Sequence, residues 1–137
     1  MIVLDTNVLS EPLRPRPDAG VLRWMGRQAR IGTTVVTVGE LLAGLGRLPA
    51  GHRRERLSEA VERTLTRFRD NVLPYDQEAA RAYARLSARR RESGAPLPVE
   101  DGMIAAICAA HGCPLATRNV RAFHGLDLVV VNPWEEP

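Results

Sequence analysis

The chain contains no lysine; all 19 of its basic residues are arginine. A P-loop needs a lysine on the β- and γ-phosphates, and a phosphoacceptor receiver domain needs one beside its acidic pocket, so both are excluded. Aromatic residues make up only 4% of the sequence, which leaves few platforms for stacking bases and disfavours a sequence-tolerant single-strand binder. Cysteine is scarce. Cys108 and Cys113 match neither a redox pair nor a zinc knuckle and fit a reducing compartment, with Cys108 read as a core residue on a helix. His52, His111 and His124 are scattered without zinc-ligand spacing and are read as surface residues. No apolar run approaches the roughly 18 residues of a membrane span. Met1 leads directly into an apolar strand rather than the charged start of a signal peptide. A cytoplasmic protein with no membrane partner is therefore expected. A Gly-x-Gly-x-x-Gly turn is also missing, which removes the dinucleotide-binding reading.

What is present suits one α/β domain. The 137 residues are 45% hydrophobic, enough to bury a single sizeable core. The net charge of +3 rests on guanidinium groups, which make bidentate contacts with phosphate. A basic rim around an acidic pit would favour a polyanion such as nucleic acid.

Strand signals fall at Ile2-Val3-Leu4, at Ile31 to Val36, at Val72-Leu73-Pro74, at Pro114 to Thr117 and at Leu128 to Val131. Helices are expected between them. Asp18 reads as the N-cap of one through Val21, Leu22, Trp24 and Met25, and Asp76 as the N-cap of another to about Ser93. A third carries Glu40, Leu41, Leu42 and Leu45. A fourth, from about Gly51 to Asp70, sets Leu57, Val61, Leu65 and Phe68 on one stripe that is core or partner surface. Val99 to His111 is almost continuously apolar after its first turn and should lie deep. The loop from Ser93 to Pro98 is long enough to form a rim over a site, and Arg89-Arg90-Arg91 reads either as dipole compensation or as a nucleic-acid contact. Alternating strands and helices imply a mostly parallel sheet of about four or five strands with helices on both faces.

Three acids stand at the starts of helical segments. Asp5 follows the first strand, where open α/β sheets place their ligands; Glu40 and Asp101 occupy comparable junctions. Each has a structural alternative. Asp5 can cap the turn after it, Glu40 can close a Thr37-x-x-Glu40 capping box, and Asp101 can sit on the positive end of its helix. Glu100 beside it reads as a solvent-facing neighbour. If the three converge, two carboxylates about 4 Å apart repel by roughly 4 kcal/mol at an effective dielectric of about 20. A hard divalent cation removes that penalty, and an oxygen-only donor set matches Mg²⁺ or Mn²⁺. A haloacid-dehalogenase-type phosphatase also begins with a strand and Asp, but Asn7 stands where its second Asp belongs. A non-catalytic α/β module that docks a partner peptide remains the alternative.

The strings I-V-L-D-T-N-V-L-S, T-V-G-E-L-L-A-G, D-G-M-I-A-A and L-A-T-R-N-V-R-A-F, followed by N-P-W, resemble the PIN-domain ribonucleases, and more narrowly the VapC toxins of type II toxin–antitoxin pairs in the FitB-like branch. The resemblance covers Met1 to Trp134, so residues 1–134 are expected to form a PIN domain and 135–137 a short tail. It implies a Mg²⁺- or Mn²⁺-dependent endoribonuclease that cleaves RNA with metal-activated water and is held inactive by a cognate VapB-like antitoxin. It further implies a homodimer, and an assembly on operator DNA through the antitoxin. By the same resemblance Asp5, Asp101 and Glu40 hold the metal, and Asn119 occupies the fourth catalytic position, often Asp in the family. Ala122 replaces an acid that commonly precedes the phenylalanine. These two departures predict one strong metal site and a weaker one completed by substrate phosphate. Thr6, Asn7 and Thr117 are expected to hydrogen-bond the carboxylates, and Arg118 to contact an RNA phosphate.

Overall fold

The computed structural model describes residues 1–137. Five strands, β1 (Ile2–Leu4), β2 (Ile31–Thr34), β3 (Val72–Leu73), β4 (Leu115–Ala116) and β5 (Val130–Val131), alternate with six helices: α1 (Thr6–Leu9), α2 (Ala19–Arg27), α3 (Val35–Gly46), α4 (His52–Phe68), α5 (Gln77–Glu92) and α6 (Val99–His111). The strand order is β3-β2-β1-β4-β5, and every pairing is parallel. Central β1 sets Val3 opposite both Gly32 and Leu115. Chain order reverses direction across the sheet between β1 and β4, which opens a crevice at the carboxyl ends of those two strands.

Strand alternation divides the core. Val3 and Leu115 face a cluster with Leu86, Ile104 and Phe123, under α5 and α6. Leu4 and Ala116, one residue on, face the opposite cluster with Trp24, Leu41, Val61 and Phe68. Asp18 and Asp76 cap α2 and α5 by accepting from Val21 N and Ala79 N, each at 3.0 Å. Helix α6 buries every residue from Ile104 to Cys108, as its apolar run requires. Gly102 makes that depth possible, because a Cβ there would lie 2.7 Å from the Tyr83 ring of α5.

One expectation is corrected. The second strand does not reach Val36; it stops at Thr34, whose hydroxyl accepts from Thr37 N at 3.1 Å and starts α3 at Val35. A local hydroxyl cap outweighs the β-branched run that suggested more strand. The stripe on α4 packs on the core, with Val61 and Phe68 buried and Leu57 and Leu65 partly buried against the same cluster, while Leu57 and Val61 also line an open groove.

Two of the three consecutive arginines have structural partners. Arg89 pairs with Asp127 at 2.6 Å. Arg90 donates to the carbonyls of Ala95 and Ala122, at 2.8 and 2.6 Å, tying the Ser93–Pro98 loop to the turn after β4.

Candidate active site

Asp5 directly follows β1 and is only 6% exposed. Its extended backbone makes it the N-cap of α1, and Oδ1 accepts from Thr6 N at 2.8 Å. The other oxygen is used differently. Oδ2 accepts from the Thr117 hydroxyl at 2.7 Å and from Asn7 Nδ2 at 3.3 Å. Thr117 follows β4, so this bond spans the crevice between the two strands. Capping and site-building are therefore the work of one carboxylate, and the expected roles of Thr117 and Asn7 have a geometry.

Glu40 lies in the second turn of α3, not at its start, because the helix begins at Val35. The Thr37-x-x-Glu40 capping box does not form; Thr37 occupies the third helical position and Thr34 is the cap. The Glu40 carboxylate instead accepts from the Thr6 hydroxyl at 2.9 Å, across to α1. Asp101 is the third residue of α6 and has no side-chain cap bond.

Glu40 and Asp101 face one open cavity of about 720 Å³, together with Thr6, Arg47, Pro98 and Glu100. Burial pushes the Glu40 carboxyl above its ordinary value, and the charges of Asp5, Asp101 and Glu100 add to the rise against the opposing Thr6 hydrogen bond. Burial likewise raises Asp101, with Asp5 and Glu100 adding and Arg90 opposing. No arginine is paired with any of the three acids; the ion pairs of the chain lie elsewhere.

The three carboxylates nevertheless stop short of a closed chelate. No three Asp, Glu, His or Cys side chains enclose an ion between them. Asp5 does not line the cavity; both of its oxygens are taken by hydrogen bonds, and the two other acids repel each other and Glu100. An oxygen-only, open set still fits Mg²⁺ or Mn²⁺, since Mg²⁺ keeps several waters and takes one or two carboxylates plus substrate phosphate.

Asn119 is exposed just past β4; its backbone N–H donates to the Thr117 hydroxyl at 3.1 Å. Ala122 gives only its carbonyl, to Arg90. Arg118 N donates to Asn7 Oδ1 at 3.0 Å, and its guanidinium carbon stands 4.9 Å from the centre of the Trp134 ring. His52, His111 and His124 are exposed, and Cys108 is fully buried, as read from sequence.

Three features escaped the sequence. Glu100, exposed on its outer side, shares the cavity with Glu40 and Asp101. Buried Glu11 accepts from Asp18 N at 2.9 Å and fastens the proline-rich segment before α2; an acid followed by Pro12 was its only local signal. Trp134 was visible in the N-P-W string, which carried no stated role.

Residues 2–127 match the family described as PIN domain. The chain belongs to the PIN-domain family. Among its relatives, the plasmid stability protein StbB of Pseudomonas syringae pv. tomato is 43% identical, covering 98% of this chain and 99% of that protein. The VapC ribonuclease Y4jK of Sinorhizobium fredii is 42% identical with the same coverage. Toxin FitB of Neisseria gonorrhoeae is 36% identical over 99% of this chain and all of its own. In three dimensions this PIN domain is similar to the chain in the crystal structure of FitAcB from Neisseria gonorrhoeae, with a TM-score of 0.93, 36% identity, and 99% and 100% coverage of the two chains. It is also similar to a chain in DNA-bound VapBC from Salmonella typhimurium, with a TM-score of 0.80, 27% identity, and 96% and 98% coverage. The FitB-like resemblance read from four short strings thus extends over nearly the whole chain.

Proposed function

We propose that this PIN domain is a VapC-type toxin, a Mg²⁺- or Mn²⁺-dependent endoribonuclease held inactive by a cognate VapB-like antitoxin. The observation that carries the reading is the pair of half-buried carboxylates, Glu40 and Asp101, facing one cavity beside Thr6, neither of them held in an ion pair. Relatives named as ribonucleases support the same chemistry.

Asp5, Asp101 and Glu40 would hold the ion. When bound, it neutralises charge on a phosphate and makes water acidic enough to serve as a nucleophile. Thr117 and Asn7 fix the direction of Asp5 Oδ2 and so decide which way its charge points. Thr6 holds one oxygen of Glu40, leaving the other to accept a proton from, or orient, the attacking water. Arg118 contacts an RNA phosphate, and Asn119 offers neutral donors where the family often has an acid.

An antitoxin fits the neighbouring surface. An apolar groove of about 490 Å³, lined by Leu13, Leu41, Leu45, Leu48 and Leu57, also includes Thr6 and Glu40. A partner segment with apolar side chains in the groove and a guanidinium beside Glu40 would compete with the cation. Structural relatives are complexes named FitAB and VapBC, some bound to DNA, which supports such a partner and an assembly on operator DNA. The homodimer is proposed with them. Exposed Val35 and Leu42 of α3 are apolar residues available to its face. No helix is long and apolar enough to cross a membrane, and a cytoplasmic location is part of the same reading.

Sequencing RNA ends after brief expression of the chain without its antitoxin tests the proposal. Discrete new ends are expected from the wild-type chain and none from Asp101→Asn. The purified protein should lose cleavage in EDTA. Asp101 is a cleaner target than Asp5, because replacing Asp5 by alanine would strand the Thr117 hydroxyl and Thr6 N. Equal cleavage by Asp101→Asn, or cleavage that survives chelation, would leave the non-catalytic binding module as the better account.

A further inference from the structure

Asn132-Pro133-Trp134 follows β5 as a constructed turn. Asn132 Oδ1 accepts from Trp134 N at 3.1 Å, the Asn132 carbonyl accepts from Glu135 N at 3.0 Å, and Pro133 is buried. The turn lays the Trp134 indole against the cluster around Leu4 and Trp24. The Arg118 guanidinium sits within cation–π range of that indole, at 4.9 Å. Its N–H groups meet no carboxylate of the chain, and only the backbone N–H of Arg118 is bonded within the protein. That backbone bond goes to Asn7, which in turn bonds Asp5. Arg118 is thus fixed at one end to the candidate site and at the other to an aromatic ring, with its donors free.

We propose that Trp134 is a positioning residue for RNA: it holds the Arg118 guanidinium against its ring so that the free N–H edge meets a substrate phosphate in a preset direction. The proposal rests on the nuclease reading and adds the residue that aims its phosphate contact. An unrestrained arginine loses side-chain entropy when it grips a phosphate; one already stacked loses less. The ring supplies restraint without competing for the N–H donors, which a carboxylate partner would occupy. A contact to a phosphate outside the reacting bond stabilises bound substrate and transition state alike, so it governs KM rather than kcat.

The test compares wild type, Trp134→Leu, Trp134→Phe, Arg118→Gln and the Trp134→Leu/Arg118→Gln double variant. Binding of a fluorescein-labelled single-stranded RNA is read by anisotropy in EDTA, and steady-state cleavage of the same RNA in Mg²⁺. Leucine keeps apolar packing and removes the π face; phenylalanine keeps a face. Trp134→Leu should raise both Kd and KM about two- to fivefold, the range of an exposed cation–π contact, with kcat unchanged. Trp134→Phe should restore most of the loss. In the Arg118→Gln background, Trp134→Leu should add nothing. Wild-type binding by Trp134→Leu, or an equal further loss in the Arg118→Gln background, overturns the proposal while leaving the nuclease intact. A wild-type protein that neither binds nor cuts RNA overturns the nuclease reading and this proposal with it.

Discussion

Thr117 offers the sharpest quantitative prediction, because its hydroxyl is fully buried and completely used. It donates to Asp5 Oδ2 at 2.7 Å and accepts from Asn7 Nδ2 at 3.3 Å and Asn119 N at 3.1 Å, which exhausts one donor and two lone pairs. Thr117→Val is nearly isosteric and removes all three bonds. The bond to the Asp5 carboxylate, with the charge left short of a donor, should cost about 2–3 kcal/mol. Asp5 Oδ2 then retains only Asn7. For a domain of this size that corresponds to a fall in Tm of roughly 6–12 °C. Thr117→Ser keeps the hydroxyl and loses one buried methyl, about 1 kcal/mol. Urea and thermal unfolding of the two variants give the difference directly. Cleavage should fall about 10- to 100-fold in the valine variant, as for other residues that orient a metal ligand, and stay near wild type in the serine variant. Equal stability of valine and serine variants would refute the assignment of Thr117 as the anchor of Asp5.

Glu40 and Asp101 have folded pKa values raised above the ordinary 4.5 and 3.8, so in that window the folded chain binds more protons than the unfolded one. Without metal, stability should therefore decline as pH rises through the raised values. Both side chains are half-exposed, so each effect should stay within about 1 kcal/mol. Glu40→Gln or Asp101→Asn should then be more stable than wild type at neutral pH in EDTA and lose that advantage near about pH 4; parallel pH profiles of urea midpoints would contradict this. Adding Mg²⁺ should raise the Tm of wild type and not of Asp101→Asn, by mass action; equal shifts would remove Asp101 from the ligand set. Gly102→Ala should destabilise by about 1–3 kcal/mol, the range for overpacking, since its Cβ would meet Tyr83 at 2.7 Å. A second substitution, Tyr83→Ala, should cancel part of that loss in a double-mutant cycle; strict additivity would place the strain elsewhere.

The sequence alone determined the fold class, the strand positions to within a few residues, the helix caps at Asp18 and Asp76 and the depth of α6. Those properties are encoded locally: apolar periodicity, cap chemistry and charge can be read within one or two turns of chain. Four short strings also placed the chain in its family before any coordinates. Tertiary structure decided the rest, because it depends on which distant residues share one end of the sheet. Glu40 gave up a local capping box for a hydroxyl supplied by α1, since Thr34 started its helix six residues earlier. Asp5 took its donor from Thr117, 112 residues away, as only the parallel pairing of β1 and β4 requires. The turn after β5 brought Trp134 to Arg118, a pairing that leaves no periodic trace along the chain.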